Sequence, residues 1–257
     1  MELTRDVFLG GRLPIWQPRD GYRAATDPVL LAASVPASPG ARVLELGCGV
    51  GVAMLSLATR VPGVILTGVE RQGPYAALAR RNAEAAGIAA TVIDCDLTAM
   101  PAELRAQRFD FVLMNPPYFP PAAPPARDPG RDLAQREDTP LDHWVDAALR
   151  RLEPGGWLHV IHLAPRLPDL LAALAGRAGD IQLRPLAPRA GRDAGRVILR
   201  ARKGAKGPFR LLPPLILHGA PVHPGDQRDD TPQAEAILRE AAPLDWDSAT
   251  RGRADLR

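Results

Sequence analysis

Residues Phe109–Tyr118 read FDFVLMNPPY. Phe109, Phe111, Val112, Leu113 and Met114 form a short β-favouring apolar run interrupted only by Asp110, the pattern of a buried strand. Asn115, Pro116, Pro117 and Tyr118 end it, because two prolines remove backbone donors and fix φ. The product is a stiff loop at a strand's carboxyl end, where open α/β sheets hold their ligands. Asn115 offers an amide oxygen, the pre-proline backbone is extended with its carbonyl available, and Tyr118 adds a flat face. Two acceptors beside a ring suit a planar group that carries an NH2.

The chain before this stretch supplies three more strand ends. Val43–Leu46 reads as a buried strand, Gly47–Gly51 as a tight glycine loop and Val52–Val61 as an apolar helix. Glycines belong where the backbone turns sharply and a ligand approaches it closely. The spacing Gly47, Gly49, Gly51, with Glu45 inside the strand, differs from the Gly-x-Gly-x-x-Gly of dinucleotide enzymes. A second strand, VILTGVE, ends at Glu70, placed to take ribose hydroxyls. A helix over Pro74–Ala86 follows, with Tyr75, Leu78, Ala79 and Asn82 on one face. The third strand, ATVIDCDL, brings Asp94, Asp96 and Leu97 to its end, and Asp96 is the expected partner of an adenine amino group. A lone Asp there is ordinarily turn chemistry; four strand ends of this kind in succession indicate a nucleoside-type site.

VLELGCGVG, Glu70, Asp96 and NPPY together resemble the successive motifs of S-adenosylmethionine-dependent methyltransferases acting on an amino nitrogen, over about residues 20–165. A narrower resemblance covers nearly the whole chain. DVFLGGRLPIWQPRDGYRAATDPVLLAA, the segment ARDPGRDLAQREDTPLDHWVDAALRRLEPGGWLHVI and the late LLPPLILHG are similar to the bacterial tRNA(Val) adenine-N6-methyltransferases. The resemblance implies a Rossmann-like class I α/β fold, a seven-stranded, mostly parallel sheet with helices on both faces. It implies S-adenosylmethionine over Gly47, Gly49 and Gly51, with Glu45, Glu70, Asp96, Leu97 and Asn115 also on the cofactor. Asn115, Pro116, Pro117 and Tyr118 would hold and stack the reacting base.

Composition sets the remaining bounds. With 257 residues, 46% apolar and 24% charged, the chain can bury a large core, and no 18-residue apolar run suggests a membrane span. The N-terminus lacks a secretory pattern, and Cys48 and Cys95 cannot staple a fold this size, so a reducing cytoplasm is expected. Neither cysteine sits in a metal-ligand pattern, and no metal is expected. Residues 1–40 read as an extension with a helix after Thr26 and Asp27 that packs over the sheet edge; the functional alternative has Tyr22–Asp27 close one side of the cofactor pocket. Residues 41–220 form the main domain; 221–257 form a tail with a short helix from Thr231 and Pro232 through Glu240 and expected disorder over 247–257.

Helices are expected at Leu141–Leu152 and Leu170–Ala178, with a strand at Trp157–Leu163 whose His159 and His162 are structural. Net charge is +3, yet residues 181–210 hold nine cations against Asp193 alone, a local +8. Val197–Leu199 reads as a strand with turns at 188–195 and 203–208, and Leu211–His218 as another. A one-signed run beside a nucleotide site suggests a phosphate track, so Arg189, Arg192, Lys203 and Lys206 are expected on tRNA. Arg127 and Arg131 of the proline-rich 119–138 loop join them as a clamp. The rivals are a protein-glutamine methyltransferase of the release-factor type, an rRNA amino-methyltransferase and an idle scaffold. The first carries a helical domain before its core, whereas 42 residues precede Val43 here.

Overall fold

The chain begins with a hairpin, β1 (Leu3–Phe8) against β2 (Leu13–Pro18), whose inward Leu13 and Ile15 are fully buried. The computed structural model describes residues 2–118, 139–220 and 228–247. After α1 (Asp27–Ala33) come β3 (Arg42–Leu46), α2 (Val52–Arg60), β4 (Ile65–Glu70), α3 (Gly73–Ala85) and β5 (Ala90–Asp94). Then follow α4 (Ala102–Ala106), β6 (Phe109–Met114), α5 (Leu141–Arg151), β7 (Leu152–Leu163) and α6 (Leu167–Leu174). The chain closes with β8 (Ala178–Ala187), β9 (Arg196–Lys203), β10 (Arg210–Leu211), β11 (Leu215–Ile216) and α7 (Pro232–Glu240).

Seven strands make the sheet in the order β5-β4-β3-β6-β7-β9-β8; the two-residue β10 and β11 lengthen it beside β8. Pairing is parallel except that β9 runs against both β7 and β8. Alternation along the central strands feeds two apolar layers, as a strand covered on both faces requires. Val43 and Leu113 pack into the layer of α1, α2 and α3. Leu44, Leu46, Val112 and Met114 pack into that of α4, α5 and α6.

The structure redraws the region after α6. The helix expected to reach Ala178 stops at Leu174, and β8 takes up the end of that expected helix and the start of the basic run. The disguise is polar: Gln182 and Arg184 are buried in β8. Arg184 donates to the carbonyls of Pro213 (2.9 Å) and Asp245 (2.5 Å), and Gln182 accepts from Arg200. β9 is longer than Val197–Leu199, and the strand expected at Leu211–His218 is two short ones, β10 and β11, with Pro213 and Pro214 between them.

The C-terminal segment belongs to the core as far as Trp246. Ile237, Leu244 and Trp246 share an apolar cluster with Leu9, Leu13, Ile15 and the α1 residues. Trp246 donates its indole N–H to the Ser34 carbonyl at 2.8 Å, meets His159 edge-on and carries the Arg200 guanidinium 4.4 Å from its ring centroid. Trp246→Ala is expected to lower unfolding free energy by about 3–5 kcal/mol in urea titrations, the usual cost of emptying a buried Trp site.

Candidate functional site

The carboxyl ends of β3, β4, β5 and β6 open on a cleft that encloses about 1080 Å³, its mouth included. Its floor is the glycine loop. Gly47 has φ +66°, and a Cβ there would stand 2.6 Å from Cη2 of Trp144, so α5 can close down only on a bare backbone. Gly49 lines the cleft with no protein atom within 4 Å of where its Cβ would be; a ligand can lie against it. Glu45 is buried beneath, its Oε2 accepting the Met54 N–H at 2.9 Å in the first turn of α2. Burial pushes its pKa up to about 8, against the pull of that N–H. Glu45 is therefore chiefly neutral at pH 7 and serves as a helix cap within the lining.

Glu70, the last residue of β4, accepts the Gly49 N–H on Oε2 and the Gln72 N–H on Oε1, both at 2.9 Å. Its pKa is raised by burial and held back by these amides. It ties the glycine loop to the next strand and keeps lone pairs for hydroxyl donors. Asp96 lines the cleft, but its Oδ1 already accepts from Thr98 N–H (2.7 Å) and Oγ1 (2.6 Å), which lowers its pKa. The turn chemistry is thus real, and Oδ2 is the oxygen left for a ligand.

On the opposite lip stands Asn115, half-buried, its Oδ1 out of solvent and without a hydrogen-bond partner among the described residues. A buried acceptor left unmatched costs free energy and marks a place for a donor. Pro116 is buried beside it, and Pro117 and Tyr118 continue the lip. Tyr22, Ala24 and Pro28 form the wall. Trp144, Tyr75 and Thr139 also line the cleft. Sequence reading missed them as site residues because Trp144 and Tyr75 lie on apolar helix faces, where large rings ordinarily mean core.

Residues 25–173 match the methyltransferase small domain family. The chain belongs to that family. It is 33% identical over 202 residues to the tRNA1(Val) (adenine(37)-N6)-methyltransferase of Dickeya chrysanthemi, covering 76% of this chain and 78% of the relative. It is 36% identical over 151 residues to the release factor glutamine methyltransferase of Geobacter sulfurreducens, covering 54% and 51%. A crystal structure described as a predicted O-methyltransferase from Agrobacterium tumefaciens superposes with TM-score 0.69 at 26% identity, covering 85% and 98%.

The cofactor of this methyltransferase is S-adenosylmethionine. The lining fits it: a bare glycine backbone open to a ligand at Gly49, and a carboxylate at the end of β4 with lone pairs left for hydroxyls. Among the described residues no three His, Cys, Asp or Glu side chains are grouped to hold a metal, and no helix is long and apolar enough to cross a membrane.

The cations expected on RNA do not assemble into one track. β9 begins at the cleft edge and ends at the far edge of the sheet, where the Lys203 ammonium donates to the Leu152 carbonyl at 2.6 Å. Seven residues of strand separate Arg196 from Lys203, about 23 Å at ~3.3 Å each. Lys203 thus ends β9, and Lys206 follows it, on the side of the sheet remote from the cleft. Arg189 is on the cleft side but is tied to Asp229 at 2.6 Å and to the Ala220 carbonyl. Arg192 is exposed on that side with no ion pair among the described residues. Arg127 and Arg131 lie outside the described residues.

Two outcomes follow from the cleft. Gly47→Ala, facing both Trp144 and a strained φ, should weaken S-adenosylmethionine binding by about tenfold or more in calorimetry, with circular dichroism unchanged. Glu45 in the folded chain keeps its proton from pH 4.5 to about 8, while in the unfolded chain it loses it. Its contribution to stability therefore falls as pH rises through that window, by up to about 1.4 kcal/mol per pH unit. Urea midpoints of Glu45→Gln at pH 5, 6, 7 and 8 should show this downward component removed.

Proposed function

We propose that the protein methylates the exocyclic N6 of an adenosine in tRNA, the anticodon-loop adenosine of a tRNA(Val). The observation that carries this reading is Asn115 Oδ1, a buried acceptor with no partner among the described residues, on the same cleft lip as Tyr118. An adenine N6 brings both a donor for that oxygen and a flat surface for the ring. The similarity to tRNA1(Val) (adenine(37)-N6)-methyltransferases over three quarters of this chain supports tRNA as the source of the base.

When bound, S-adenosylmethionine supplies an electrophilic methyl group. The work of the chain is positioning. Asn115 Oδ1 accepts one N6 hydrogen and turns the amine towards the cofactor side of the cleft. Two prolines keep that oxygen from drifting, and Tyr118 holds the plane of the base. A base in such a lip must leave its stack, and an unpaired loop makes that inexpensive. Arg192, exposed on the cleft side, is the described cation of the expected set placed to meet phosphate.

The glutamine reading keeps one support, the release-factor relative, since a glutamine amide also presents a planar NH2. Nucleoside mass spectrometry separates the two. Transfer RNA from a strain lacking the gene should lack one N6-methyladenosine that purified protein restores. Asn115→Ala should lower that turnover by about a hundredfold or more, with cofactor affinity near that of the unaltered protein. Full N6-methyladenosine in the deletion strain together with loss of a methylated glutamine would favour the rival. Arg192→Gln should flatten the log–log salt dependence of tRNA binding by about 0.7–0.9.

A further inference from the structure

Two distant segments hold Tyr118, and a third braces one of them. Its hydroxyl donates to Asp27 Oδ2 at 2.6 Å. Asp27, in the first turn of α1 and 9% exposed, accepts the Arg196 guanidinium from the start of β9 on its other oxygen. The Tyr118 ring rests on His162 of β7, centroids 5.5 Å apart and planes at 46°. His162 accepts the Leu163 N–H on Nδ1 at 2.7 Å, and its burial draws its pKa down to about 4, so the supporting ring is uncharged at neutral pH.

A buried carboxylate is costly unless paired and hydrogen-bonded. Arg196 and Tyr118 satisfy Asp27 together, and neither the glycine loop nor Glu70 takes part. The arrangement matters because rotation of a tyrosine ring about its Cβ–Cγ axis is soft. A phenolic O–H lies in its ring plane, so a fixed acceptor resists that rotation from one end while His162 supports the face.

We propose that Asp27, locked by Arg196, is a positioning residue for the transfer: through the Tyr118 hydroxyl it fixes the ring plane on which the substrate's planar group stacks. This rests on the amino-transfer reading above. It reverses what stacking alone suggests, under which the ring matters and the hydroxyl does not.

The test is a double-mutant cycle on full-length protein. Asp27→Ala and Tyr118→Phe should each lower kcat towards tRNA about ten- to a hundredfold, as loss of a charge-assisted hydrogen bond does. S-adenosylmethionine affinity should stay within about twofold, and the double variant should be no worse than either single one, because both remove the same bond. Asp27→Asn, which still offers one oxygen to the phenol but turns its NH2 towards Arg196, should recover part of the rate. In the free protein, the Tyr118–His162 ring-to-ring nuclear Overhauser effect should be lost in Asp27→Ala and kept in Asp27→Asn. Full kcat in Tyr118→Phe, multiplying effects in the double variant, or an unchanged ring-to-ring effect in Asp27→Ala would each overturn the proposal. If Asp27→Ala does not fold, Tyr118→Phe breaks the bond from the other side. A wild-type protein that leaves tRNA unmethylated overturns the tRNA reading instead, and the free-protein measurement still decides the clamp.

Discussion

The register of three parallel strands sets the chemistry of the cleft. Leu46 of β3 is level with Val69 of β4 and with Met114 of β6. Each strand ends there or one residue on, so Gly47, Glu70 and Asn115 share one tier at the sheet's carboxyl edge. A slip of one residue would turn every side chain of a strand to the opposite face. Apolar layers on both sides forbid it, because Leu44 and Leu46 would exchange places with Val43 and the carboxylate of Glu45. The site is thus held in line by packing that never touches a ligand.

The same register explains Asp96. Glu70 is paired with Asp94, so Asp96 stands two residues beyond the shared tier, already in the turn. There it has to serve Thr98 as well as any ligand. Glu70 meets a similar demand at the tier itself, holding Gly49 and Gln72. Both carboxylates organise the cleft before they bind anything, as preorganised sites do.

What could be read from the sequence divides along this line. The glycine loop, Glu70 and the Asn-Pro-Pro-Tyr lip were legible because each is a local signal: a strand pattern of period two followed by residues whose backbone or chemistry is special. The basic run was misjudged because strand polarity is not local. Nothing in the letters around Lys203 says that β9 runs backwards and carries it away from the cleft. Nor do they say that Arg184, Arg189, Arg196 and Arg200 are bound to carbonyls, carboxylates and indole rings. A solvated-looking arginine and a buried one are the same letter. Trp144 was hidden for the converse reason, a ring at core spacing that also borders a cavity.

Ser34 receives the Trp246 indole from 212 residues away, and Asp27 receives Arg196 from 169 residues away. The wall of the cleft near Asp27 is therefore braced by parts of the chain that leave the ribosome long after it. Contacts between such distant positions form late, since a long loop must close before they repay its entropy. During synthesis the glycine loop, β4 and β6 can pair long before α1 finds its partners. The glycine-loop side of the cleft is complete early; the Asp27 side waits for Arg196 and Trp246. Vectorial synthesis thus orders the assembly of this site, and a chain stalled short of Trp246 would carry a cofactor loop without a finished lip.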